Sequence, residues 1–161
     1  MKKLLSFSRY IIILPVIASF IASIFLIVFA SVKETTVIWD TLRQGETSTK
    51  EIKYLAVSLV EIVELFLLST GFYLIALGFY ELFISDDLDL PAWLSFHNFD
   101  DLKGALVSII IVILGASFLS EAVKWGGQIE LLWYGLAVGA VITALTYFTA
   151  VKVKKGNTSV E

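Results

Sequence analysis

Five charged side chains stand where charge is expensive. Glu61 and Glu64 interrupt the apolar text VSLVEIVELFLL, Glu81 closes the same stretch, and Arg9 and Lys103 open two others. A carboxylate at mid-membrane costs about 2.5–3.5 kcal/mol on insertion scales, so each needs a proton, a partner or water. Glu61 and Glu64 are three apart and share one face of a helix. Two carboxylates one turn apart in a low dielectric do not both ionise readily. That pair is either a proton or cation site at the mouth of a pore, or two solvated acids on a helix end that leaves the membrane. Glu81 lies seventeen residues beyond Glu64, about 25 Å along a helix, and so near the opposite surface. There it is expected to meet Arg9 and Lys103 as an ion-paired brace or a gate. His97, with Asp100 and Asp101 close by, matches no established metal spacing. No nucleophile motif or phosphate-binding glycine loop occurs. An enzyme is the least supported class, and no cofactor is expected.

The elements that carry these residues are read from hydropathy. The chain has 161 residues, of which 58% are apolar or aromatic and only 17% charged. Soluble domains carry about 25% charged residues, and the mean hydropathy here is +0.87. With no cysteine, thiolate metal sites and disulfides are excluded, and a net charge of −3 offers no basic field for nucleic acid. Four stretches reach the roughly 20 apolar residues that a 30 Å hydrocarbon layer demands. They are Ile11–Val32, Leu55–Ile84, Gly104–Val123 and Leu131–Val151. The first is 22 uncharged residues, too long for a signal-peptide core, and is read as a retained span. The second is 30 residues, about 45 Å as a helix, so it tilts or projects at its Glu61 end. That length favours the solvated reading of Glu61 and Glu64.

The connections differ in kind. Lys33–Tyr54 is polar, with a Gly45-Glu46-Thr47-Ser48-Thr49 turn and Trp39 suited to an interface. Ser85–Asp101 alternates apolar and acidic residues around Pro91 and reads as a short segment on the membrane surface, held by Trp93 and Phe96. Gly126-Gly127 marks the last turn, and Glu121 with Lys124 reads as a local helix pair. The fold class is therefore all-α, one polytopic transmembrane domain of four helices with an interfacial segment between the second and third. Six of the twelve basic residues lie in the two tails, and an even number of spans returns the chain to its starting side. The positive-inside rule then places both termini in the cytoplasm and the protein in the cell membrane.

Small residues give a packing signal. Gly135, Gly139 and Thr143 form a ladder at i, i+4 spacing on the fourth span, and Ala18-Ser19 with Ala22-Ser23 do so on the first. Such ladders let helices approach closely in lipid, whether the partner is another span or another subunit.

These features recur together in a known family. Ser8-Arg9 with Pro15, the text at Val57–Glu61, GFYELF at Gly78–Phe83, DDLK at Asp100–Lys103 and the Trp133-Tyr134 pair make the chain resemble the YqhA-like family of bacterial inner-membrane proteins, uncharacterised protein family 0114. The resemblance runs from about Ser8 to Val151. It implies a multi-span membrane protein, with Glu61, Glu81 and Lys103 on the family pattern, and no assigned activity. The expected function is a homo-oligomeric channel or transporter-like protein for a small ion or proton. The alternative is a non-catalytic scaffold or accessory subunit whose charges only hold the helices together. The expected partners are the lipid bilayer and a second copy of the chain.

Overall fold

The computed structural model describes residues 11–45, 48–84, 96 and 98–157, with side chains except at 44 and 152–157. The helices long enough to name among these residues are α1 (Ile13–Gln44), α2 (Thr49–Phe83), α3 (Phe99–Lys124) and α4 (Glu130–Asn157). All four are long and apolar enough to cross a membrane, and no strand occurs among the described residues.

The apolar text ends at Val32, yet α1 runs on to Gln44. The expected 22-residue polar connection is thus mostly helix. Nothing between Lys33 and Gln44 breaks a helix, and Thr35, Thr36 and Thr41 each turn their hydroxyl back onto the carbonyl one turn earlier. Arg43 covers the Trp39 ring at 4.9 Å. The helix stops at Gly45, whose φ of +61° is a conformation glycine adopts without the steric cost that a Cβ brings. Ser48 then starts α2 through a capping box, its N–H donating to Glu51 Oε2 at 3.0 Å. At the other end of α1, Pro15 occupies the third helical position, where a missing N–H leaves no bond unmade.

This turn sets the register of the α1–α2 hairpin. Phe20 meets Tyr73, Ser23 meets Ser69 and Lys33 meets Glu61. Each pair is equidistant, to within one residue, from the centre of Gly45–Ser48. On α1 the covered residues Val16, Ser19, Ser23, Leu26, Ala30 and Lys33 alternate at spacings of three and four, the seam of two helices packed side by side. On α2, Gly71 and Gly78 turn the other way. A Cβ on Gly78 would fall 2.5 Å from Leu102 Cδ1, and one on Gly71 would lie 3.6 Å from Ile109 Cγ2. Gly78 therefore lets the backbone of α2 close onto Leu102, itself only 1% exposed.

α2 is consequently the core helix, with α1 on one side and α3 on the other. In its most apolar stretch 28% of residues are buried, against 11% in α1 and 6% in each of α3 and α4. α4 packs on α3 through Phe118, whose ring stacks with Tyr134 at 6.3 Å and abuts Gly135. The four helices thus lie up and down as successive neighbours, each leaving broad apolar faces for lipid or for another chain.

α3 opens on Asn98, whose side chain accepts the Asp101 N–H at 2.9 Å, with Asp100 and Asp101 in the first turn where the helix dipole favours acids. Of the expected surface segment, residues 85–95 and 97 lie outside the described residues, including Trp93 and His97. The sequence pattern places Phe96 at the membrane surface. It is 6% exposed, packed inside the protein instead, and Phe99–Asp101 already belong to α3.

Candidate functional site: a carboxylate column on the central helix

At the hairpin end of the membrane, Glu61 is held by two ammonium groups from two different helices. Lys33 Nζ of α1 lies 3.1 Å from Oε2, and Lys124 Nζ of α3 lies 3.4 Å from Oε1. Lys124 also reaches Glu121 Oε1 at 3.3 Å. Each Glu61 oxygen takes one cation, so a single carboxylate ties α1, α2 and α3 together. The side chains stay between about a third and half exposed, which fits the boundary between hydrocarbon and water. Lys33 follows the last residue of one apolar stretch and Lys124 the last of another. The local Glu121–Lys124 pair is present as the sequence suggested. The apolar text does not announce the Lys33–Glu61 pair, because the uncharged stretch ends at Val32, one residue short of Lys33. Continuing the Ser19–Ser23–Leu26–Ala30 seam by three residues finds it.

Glu64 lies one turn deeper. Its Oε1 is fully buried and makes no hydrogen bond among the described residues. Glu64 stands seven residues from Gly71 and fourteen from Gly78, in register with the two glycines that face α3. Ser120, 4% exposed on α3, lies one turn inward from Lys124 just as Glu64 lies one turn inward from Glu61. Two neighbouring acids therefore differ sharply: Glu61 is charge-paired at the boundary, and Glu64 has an oxygen sealed away from water.

Five residues further in, Ser69 donates to the Ser23 carbonyl at 2.8 Å, and the two hydroxyls lie 3.1 Å apart. Since Ser69 has one proton and spends it on the carbonyl, Ser23 must donate the hydroxyl–hydroxyl bond. Both are buried, at 0% and 2% exposure.

At the far end, Glu81 is 8% exposed and its Oε2 accepts the Phe96 N–H at 2.7 Å. It thereby fixes the approach to α3, beside the Phe79 and Phe99 rings stacked 6.5 Å apart. Lys103 makes its ion pair with Asp100 at 3.7 Å and sits 4.5 Å over the Phe99 ring. Arg9, the other base expected at this level, lies outside the described residues. No group of three His, Asp or Glu gathers as a metal site among the described residues. On α4, Gly135 abuts Phe118, nothing lies within 4 Å of a Cβ built on Gly139, and Thr143 donates to the Gly139 carbonyl at 2.7 Å.

A family model, that of the uncharacterized protein family UPF0114, matches residues 5–122. The chain belongs to this family. The matched region holds α1, α2 and nearly all of α3, with Glu61, Glu64, Glu81 and Lys103. It ends before α4, so the Trp133-Tyr134 pair, part of the resemblance read from the sequence, falls outside it. Neither a curated protein nor a solved structure matches the chain.

Proposed function

We propose that this membrane protein conducts a proton or small cation as a homo-oligomer, with Glu64 as the group that handles the ion. The observation that carries the reading is the buried, unpartnered oxygen of Glu64 inside an apolar helix. A carboxylate oxygen without a donor in a low dielectric is costly, and the cost is relieved by a proton, a cation or a water molecule. A protein that only needed rigidity would gain from an alanine or leucine at this position. Glu61 supports the reading from one turn away: held by Lys33 and Lys124, it fixes the mouth of the site and leaves Glu64 as the exchangeable group. Self-association is supported by the broad apolar faces of α1 and α4 and by the open side of Gly139.

The second reading, a scaffold or accessory subunit, draws on a different observation. Glu61, Glu81, Ser23 and Ser69 all spend their polar atoms on contacts between helices or with the segment before α3. Flux assays separate the two. Liposomes carrying the purified protein should pass protons, K⁺ or Na⁺, and Glu64→Gln should cut that flux at least about tenfold with the melting temperature held, as loss of one positioned proton-transfer group predicts. Absence of flux in the wild-type protein, or full flux in Glu64→Gln, defeats the conducting reading.

A further inference from the structure

On the hairpin side of the ion cluster, α1, α2 and α3 part to leave a cleft of about 420 Å³. Its polar lining is Lys33 from α1, Lys53, Tyr54, Ser58 and Glu61 from α2, and Lys124 from α3. Lys53, Val57, Ser58 and Glu61 recur along one face of α2, so the helix presents this row as a unit. Three ammonium groups face one carboxylate within the cleft. Even with Glu121 counted against Lys124, one positive charge is in excess. Lys53 makes no ion pair among the described residues. Ser58 is 5% exposed, and its hydroxyl makes no hydrogen bond among the described residues while lining the cleft. A hydroxyl that opens on the cleft without a protein partner, beside an excess positive charge, is free to donate to an acceptor bound there.

The depth of the cleft selects the kind of acceptor. Lys33 and Lys124 mark the edge of the hydrocarbon, and Lys53 stands eight residues outward from Glu61, about 12 Å. The headgroup layer on one side of a bilayer is about 5–8 Å thick, so the cleft opens across it. Trp125 and Tyr54, both exposed, stand at the same end, where amphipathic rings settle among headgroups. Val37, Val57 and Val123 supply an apolar wall beside the cations, which suits a glycerol ester better than a bare ion.

The geometry points to a binding site for the phosphate of an anionic phospholipid headgroup, with Lys53 and Lys124 as its cations and the Ser58 hydroxyl as its donor. This assignment stands apart from ion conduction, because the lipid would bind whether or not flux occurs. The test is native mass spectrometry of the full chain in mild detergent, titrated with phosphatidylglycerol, phosphatidylcholine or inorganic phosphate. Phosphatidylglycerol should be retained at one molecule per chain under activation that strips phosphatidylcholine. Lys53→Gln should weaken it about fivefold, the equivalent of about 1 kcal/mol for one lysine at an anionic surface. Ser58→Ala should weaken it about tenfold, as for loss of one hydrogen bond to a charged group, and Lys50→Gln, outside the cleft, should change nothing. Equal retention of the two lipids, or wild-type affinity in both Lys53→Gln and Ser58→Ala, overturns the site. Displacement of phosphatidylglycerol by an equal concentration of inorganic phosphate overturns the lipid assignment in favour of a free anion.

Discussion

A charge survives in an apolar helix only if something meets it, and α2 meets the three acids of its apolar stretch in three ways. Among the described residues, Glu61 lies between two ammonium groups, Glu81 accepts a backbone N–H, and Glu64 has one buried oxygen without a hydrogen bond. Different substitutions should therefore separate them. Glu61→Gln removes the anion from between Lys33 and Lys124 and leaves two cations at the boundary without their shared counterion. Because these side chains are partly wet, the Lys33–Glu61 pair contributes about 0.2–1 kcal/mol, and the expected loss is of that order. A thermal melt in detergent should show a lowered midpoint, and Lys33→Met should lower it less, since Lys124 still holds the carboxylate. A larger effect from Lys33→Met would mean that Lys33 matters for something besides Glu61. Ser69 offers the neutral comparison. Ser69→Ala forfeits both the bond to the Ser23 carbonyl and the acceptor of the Ser23 hydroxyl, and at about 0.6 kcal/mol for each hydrogen bond between transmembrane helices should cost about 1 kcal/mol.

At the scale of elements, the helices were legible where lipid demands them and illegible where it does not. Four apolar stretches announced four helices. The outer third of α1 carries Lys33, Glu34, Asp40 and Arg43, so a hydropathy criterion ends the span at Val32 although the backbone has no reason to stop there. Glu61 and Glu64 looked alike in the sequence because spacing along one helix cannot say which neighbour each one faces. That depends on the register of α2 with α1 and with α3, which composition does not encode. Two glycines test this level. Gly45→Ala meets no neighbour within 4 Å, so its cost is that of a positive φ alone, about 1–2 kcal/mol, and should fall on the hairpin. Gly78→Ala drives a Cβ into Leu102 and should cost about 1–3 kcal/mol through overpacking. Leu102→Ala in the same chain should recover part of the loss in the Gly78→Ala background. If the double variant is no better than the sum of the two single losses, the Gly78–Leu102 approach is not what limits stability.

For the whole molecule, the question is what covers the faces that four neighbouring helices leave open. α4 touches the rest through α3, and its ladder of small residues divides in two: Gly135 is spent on Phe118, while Gly139 opens outward. A leucine at each position should therefore report on different contacts. Gly135→Leu pushes against Phe118, whose Cε2 already lies 3.0 Å from a Cβ built there, and should loosen α4 within the monomer, lowering its melting midpoint. Gly139→Leu has free space in the monomer and should leave the fold intact. Its effect depends on the neighbour. If a second copy packs on this stripe, the added side chain holds the backbones apart, where in lipid close approach is the main source of attraction, and the oligomer should fall to smaller species. If lipid covers the stripe, a leucine is as welcome as any other apolar group and the assembly should keep its size. Light scattering of the detergent-solubilised protein, read beside the melting curves, decides it. A smaller particle with an unchanged melt of the monomer places a subunit on α4, and an unchanged particle removes α4 from any interface between copies.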